Sequence, residues 1–267
     1  MVEAQAPIPN REEDSNGNVS VVEFPDPALE SAIREAIRKP VGNILYTDLA
    51  GLVELSAGHR NISNLEGIQH CLDLKELYLS FNSLVDIGAL APLSKLEVLL
   101  LNGNQLVNIE PLAGLVQLVD LRLYDNQIDD ITFLMSLTKL EYLGLDYNAI
   151  VDIRPLSGLT RLWWLSAESN QISDVLPLSP LTKLEYLGLD HNAIVDVSGL
   201  ASLINLEELR LPHNHIVDIS ALVRNPGLSR YDNVYIYDNP FDLTQGSPAM
   251  LDIEVLLDRG VDVTYDL

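Results

Sequence analysis

Residues 138–150 read TKLEYLGLDYNAI and residues 182–194 read TKLEYLGLDHNAI, thirteen positions set 44 residues apart that differ only at Tyr147 and His191. A copy at that distance implies a period of 44 or a divisor of it. Asparagine selects the divisor. Asn82, Asn104, Asn126, Asn148, Asn170, Asn192 and Asn214 recur every 22 residues. Around each stands one frame, here Leu74, Leu77, Leu79, Asn82, Leu84, Ile87, Leu90 and Leu93. Each period reads as a short strand, Leu77-Tyr78-Leu79 and its equivalents, followed by a return path. A single turn has nothing to bury its leucines against. Stacked turns bury them against one another, with parallel strands ~4.8 Å apart. The asparagine amide carries donors and acceptors together, so the ladder is expected to satisfy backbone groups at the bend between turns. That makes it structural, not catalytic.

This frame resembles the leucine-rich repeat, L-x-x-L-x-L-x-x-N-x-L, in its 22-residue internalin-like class, over roughly residues 24–267. The resemblance implies an α/β leucine-rich-repeat solenoid of bacterial style. It is a curved right-handed coil with a parallel concave sheet of about nine strands. Short helical turns lie on the convex side, with helical caps at both ends. Residues 1–22 read as a flexible leader, rich in Pro, Asn, Ser and acid. Residues 23–51 read as a helical cap, with Asp26 at the N-cap, Pro27 at N1 and a stripe of Leu29, Ile33 and Ile37. The repeats fill 52–227. Residues 228–267 hold a last strand, displaced by three inserted residues, and a helix from Ser247 to about Arg259, with Phe241 and Leu251 closing the core.

A second ladder follows the first: Asp86, Asn108, Asp130, Asp152, Asp174, Asp196 and Asp218. Its ordinary role is to cap the first N–H groups of each convex turn; aligned carboxylates sharing a calcium ion are the sharper alternative. Cys71 takes the place of a core leucine and, as the single cysteine, excludes an internal disulfide or a cysteine-based zinc site.

Composition narrows the function. A net charge of −23 repels phosphate backbones, which argues against nucleic acid and for basic partners. With a mean hydropathy of +0.14, every apolar run is still interrupted by charged or amide residues well short of ~20 residues, so no membrane insertion is expected. The N-terminus has neither a basic nor an apolar signal region. The resemblance implies a secreted or cell-surface protein whose signal is absent from this chain; a cytoplasmic protein is the alternative.

If the leucines point inward, the third, fifth, seventh and eighth positions of each repeat are displayed on or beside the sheet. They hold nine of the sixteen aromatic residues, among them Tyr78, Phe81, Tyr124, Tyr142, Tyr147, Trp164, Tyr186 and Tyr235. Tyr142, Trp164 and Tyr186 share one column, flanked by Gly144 and Gly188. The same surface carries nine acids, including Asp146, Glu168 and Asp190, against two arginines. Aromatic anchors among acids predict a basic protein or peptide ligand, and the resemblance implies protein recognition on the concave face. A carbohydrate stacked on the same rings, or a structural spacer binding nothing there, are the alternatives. An enzyme is not expected, because no insertion interrupts the array to build an enclosed site. No cofactor is expected. His191 and His213 share one column beside Asp190 and are weighed as a metal pair, against the commoner reading of two solvated histidines.

Overall fold

The computed structural model describes residues 21–266, so most of the expected leader lies outside the described residues. Within that span, ten strands form one parallel sheet in chain order, from β1 (Glu54–Ser56) through β2 (Glu76–Tyr78), β3 (Val98–Leu100), β4 (Asp120–Arg122), β5 (Tyr142–Gly144), β6 (Trp164–Ser166), β7 (Tyr186–Gly188), β8 (Glu208–Arg210) and β9 (Asn233–Tyr235) to β10 (Asp262–Thr264). Partners from β1 to β8 stand 22 residues apart, as Leu77 pairs with Leu99 and Leu143 with Leu165. The strands begin one residue earlier than the leucine triplet suggests.

The framework leucines and isoleucines are almost completely buried and form one continuous core. Each asparagine of the ladder ties two turns together. Asn104 Oδ1 accepts the Leu84 N–H at 3.0 Å, while its Nδ2 donates to Leu79 O and Leu101 O at 3.1 and 2.9 Å. The pattern repeats from Asn82 to Asn214 and extends to Asn239, which serves Ile216 N–H and Leu211 O. The aspartate ladder accepts the N–H two residues on, as Asp130 does from Thr132 at 2.8 Å and Asp174 from Leu176 at 2.9 Å. These bonds start the short 3₁₀ turns of the return path.

The front cap is the helix α1 (Pro27–Ile37), followed by the single turn α2 (Tyr46–Leu49). Asp26 holds both the helix and the first repeat. One carboxylate oxygen accepts from Ala28 and Leu29 N–H, and the other from Ser63 and Asn64 N–H at 2.8 and 3.2 Å. Burial pushes its carboxyl up, but these four donors outweigh burial and hold it below the usual aspartate range. Arg60, standing where an asparagine would ladder, reaches Glu35 of α1 at 2.6 Å instead. Val21 and Val22 join this cap: Val21 bridges Leu45 and the Val22 N–H bonds Ile44 O.

At the back, the helical turn α3 (Ser220–Arg224) precedes β9, and α4 (Pro248–Asp258) precedes β10. Two expectations change here. The sheet has ten strands rather than about nine, because the chain after α4 returns to pair Val263 with Val234. Leu251 is 51% exposed and does not close the core. With Pro248 at the first helical position, the 3.6-residue period turns Ala249, Ile253 and Leu256 inward and Leu251 away from them. Phe241 does pack against the core.

The three-residue insertion is pinned by Asn225, which is fully buried and donates to Leu200 O and Leu203 O while accepting from Gly227 N–H. A Cβ on Gly227 would lie 2.0 Å from Ile204 O, a backbone atom that no rotamer change moves. Gly227→Ala is therefore expected to lower stability by about 2–3 kcal/mol, as overpacking does elsewhere. Gly114→Ala, where an added methyl meets nothing within 4 Å, is expected to stay within about 0.5 kcal/mol of the parent. Urea denaturation of the two variants separates these outcomes.

Candidate functional site on the sheet face

The strands put residues 22 apart side by side, and this turns a column of the sequence into a row of the surface. The rings of Tyr142 and Trp164 stack 3.9 Å apart at 5°, and those of Trp164 and Tyr186 stack 4.8 Å apart at 7°. The Arg122 guanidinium lies 4.3 Å over the outer face of this stack, above Tyr142, and is held there by Asp120 at 2.9 and 3.1 Å. Each ring is half-buried by its neighbours.

Beside the rings runs the row Asp146, Glu168, Asp190. Asp146 accepts the Ser166 hydroxyl and the Glu168 N–H. Asp190 is buried and pairs with Arg210 at 3.2 Å; the same guanidinium lies 3.7 Å from both Glu168 and Glu208. Gly188 leaves the gap between the two rows. A Cβ there would stand 2.9 Å from Glu168 Oε1 and Ser166 Oγ and 3.1 Å from the Tyr186 hydroxyl, so three oxygens converge over one glycine. Gly144 does the same for Tyr124 and Trp164, whose carbons lie 3.8 and 3.9 Å from its missing Cβ.

Burial pushes the carboxyls of Asp146 and Glu168 up; at Glu168 the charges of Asp190 and Asp146 push the same way, and Arg210 offsets them only in part. A carboxyl raised in the folded state costs no stability below its unfolded pKa, and its cost grows as pH rises through the folded value. Glu168→Gln is thus expected to melt higher than the parent at pH 7, with the difference closing by pH 4. A lower melting point at pH 7 would contradict this placement.

The eighth position of every repeat has left-handed backbone. Phe81, Asp125, Tyr147, Ser169, His191 and His213 all have φ between 53° and 57°, and Gly103 has φ 63°. Each donates its N–H to the next turn, as Tyr147 does to Glu168 O at 2.9 Å. Their side chains splay outward: Tyr147 is 60% exposed.

The expected site residues therefore fall into separate groups. Tyr142, Trp164, Tyr186, Tyr124, Asp146, Glu168 and Asp190 form one patch over the turns of β4 to β7. Tyr147 and His191 stand along its rim, with His191 stacked on His213 at 4.0 Å. Tyr235 is reached only through Arg210, whose guanidinium lies 5.2 Å over its ring. Tyr78 and Phe81 lie three strands before the stack, ~14 Å away at the spacing of a sheet. Tyr78 hydrogen-bonds Glu76, and Phe81 stacks on His59 at 4.6 Å. Among the described residues, no group of three or more His, Cys, Asp or Glu side chains is placed to hold a metal. No helix there is long and apolar enough to cross a membrane. Burial pushes the Cys71 thiol up to about 12, so it stays protonated and inert in the core.

Sequence reading passed over Trp163. It is 40% exposed just outside the sheet and meets Tyr142 edge-on at 6.1 Å. Its column otherwise carries mostly charged residues, and the doublet Trp163-Trp164 was the available signal.

The same repeat occurs in known proteins. The family described as Leucine Rich repeats (2 copies) matches residues 94–136. Internalin C2 from Listeria monocytogenes superposes with a TM-score of 0.74 at 39% identity, covering 82% of this chain and 94% of that one. The plant peptide hormone receptor RGFR1, solved in complex with RGF2, shares the fold at 22% identity and a TM-score of 0.60, covering 73% of this chain and 33% of that one. Leucine-rich repeat-containing protein 56 of Mus musculus is 43% identical over 62 residues, which is 23% of this chain and only 11% of that protein's length.

Proposed function

The chain belongs to the internalin-like family of leucine-rich-repeat proteins, and from that premise we propose that it is a non-enzymatic recognition module whose sheet face binds a basic protein or peptide. The observation that carries this reading is the continuous stack from Arg122 through Tyr142, Trp164 and Tyr186, set against Asp146, Glu168 and Asp190. Half-exposed tyrosine and tryptophan supply large, rigid contact area with little conformational entropy to lose. The surrounding carboxylates outnumber the two arginines on that face, and the chain's net charge of −23 extends the same field outward, so cationic partners are drawn in. The plant peptide hormone receptor described above has this fold, which supports a peptide-sized ligand. The same family membership supports a location outside a bacterial cell, secreted or held at its surface.

The test uses an arrayed library of dodecapeptides that varies in lysine and arginine content. The best binder is expected to be basic, and its dissociation constant to rise at least tenfold between 50 and 500 mM NaCl as the Debye length shrinks from about 14 to about 4 Å. Equal binding of neutral peptides, or an affinity indifferent to salt, would overturn the reading.

A further inference from the structure

The flank of the solenoid, just ahead of the strands, carries its own rows of charge. In the early repeats these charges pair across adjacent turns: Lys75 with Glu97 at 2.7 Å and Lys95 with Asp73 at 2.6 Å, while Lys139 bonds the Gln117 amide at 2.5 Å. Around Trp163 the pairing stops. Glu141, Arg161, Lys183 and Glu185 surround the indole in an open groove of about 680 Å³ that Asn205 completes. Among the described residues, none of those four charged side chains makes an ion pair or a hydrogen bond. Intervening between Glu141 and Glu185, the indole replaces the partner that each would otherwise find one turn away.

We propose that this groove binds a neutral carbohydrate, with a pyranose ring stacked on the Trp163 indole. Two carboxylates and two cations make the groove locally neutral in a chain whose net charge is −23. A cationic ligand attracted by Glu141 and Glu185 would meet Arg161 and Lys183; an anionic one would meet the reverse. Sugar hydroxyls are donors and acceptors at once, so one ring's hydroxyls satisfy both sets of unpaired groups. Its axial C–H face is apolar and covers the exposed indole, the combination of one aromatic platform and a few polar anchors that small-ligand sites share. The groove runs beside the aromatic stack, its Glu141, Trp163 and Glu185 each preceding a stack residue and its indole meeting Tyr142 edge-on, but it shares no lining residue with the stack, so this inference is tested apart from the peptide reading.

The full chain is screened against an array of neutral oligosaccharides built from hexoses and N-acetylhexosamines, and the best binder is titrated by calorimetry. The expected dissociation constant changes less than twofold between 50 and 500 mM NaCl. Trp163→Ala weakens it at least 20-fold, Glu185→Gln weakens it at least threefold, and Tyr186→Ala leaves it within twofold. Cooperative melting of Trp163→Ala checks that the fold survives. A screen in which no neutral glycan binds, or a binder unaffected by Trp163→Ala, overturns the proposal, as does one lost with Tyr186→Ala instead.

Discussion

Replacing Tyr142, Trp164 and Tyr186 together with alanine is expected to weaken the best basic dodecapeptide at least 100-fold while the chain still melts in one cooperative transition. The first half follows from hot-spot energetics: central aromatic anchors are worth 2 kcal/mol or more each, and 100-fold corresponds to about 2.7 kcal/mol even if the three losses overlap strongly. The second half follows from where the rings sit. Their stacks contribute about 0.5–1.5 kcal/mol per pair, whereas the core of leucines behind the sheet is untouched by the change. Peptide affinity within twofold of the parent would remove the sheet face as the binding surface. A broad, uncooperative transition would show instead that the rings are part of the scaffold.

The largest expected loss of stability comes from the ladder. Asn192→Leu strands the Ile172 N–H, which Asn192 Oδ1 now accepts at 2.9 Å, and removes one of two amide donors from the carbonyls of Ala167 and Leu189, which Asn170 and Asn214 go on serving at 3.2 and 2.9 Å. The site is buried, so water does not replace the lost partners. At about 1–3 kcal/mol for the orphaned N–H and about 0.5–1.5 kcal/mol for each carbonyl bond lost, the cost is expected to reach about 3–5 kcal/mol. Because two of those groups, Ile172 N–H and Ala167 O, belong to the preceding turn, the defect spans two repeats. Urea denaturation should show a lower midpoint with an unchanged slope. A change below 1 kcal/mol would mean that the turns are held by leucine packing alone.

Much of this architecture is written in the spacing of single letters. The asparagine ladder and the row of three rings were legible because a parallel sheet with a constant turn length sets residues 22 apart side by side; period then converts directly into contact. Reading failed wherever contact runs off that grid. Arg122 covers Tyr142 diagonally across two strands, and Arg210 gathers Asp190, Glu168 and Glu208 from three, because long side chains reach beyond their own column. The tenth strand stands 29 residues after the ninth, outside any repeat frame. Leu251 was misplaced because a helix face depends on where the helix begins, and Pro248 sets that start. Trp163 escaped notice because its neighbours in the column advertise only solvated charge.

The left-handed column bears on how such a surface diversifies. At each eighth position the backbone excludes branching at Cβ, where a second substituent would crowd the following carbonyl. The residues found there, from His59 to Asp238, are His, Phe, Gly, Asp, Tyr, Ser, His, His and Asp, with no Val, Ile or Thr among them. Backbone geometry thus acts as a filter on the rim's vocabulary, and it admits rings and short polar groups, the same chemistry that recognition draws on. The exchange of Tyr147 for His191 between otherwise identical copies is a substitution this filter passes, which makes the rim a place where duplicated turns diverge at little structural risk.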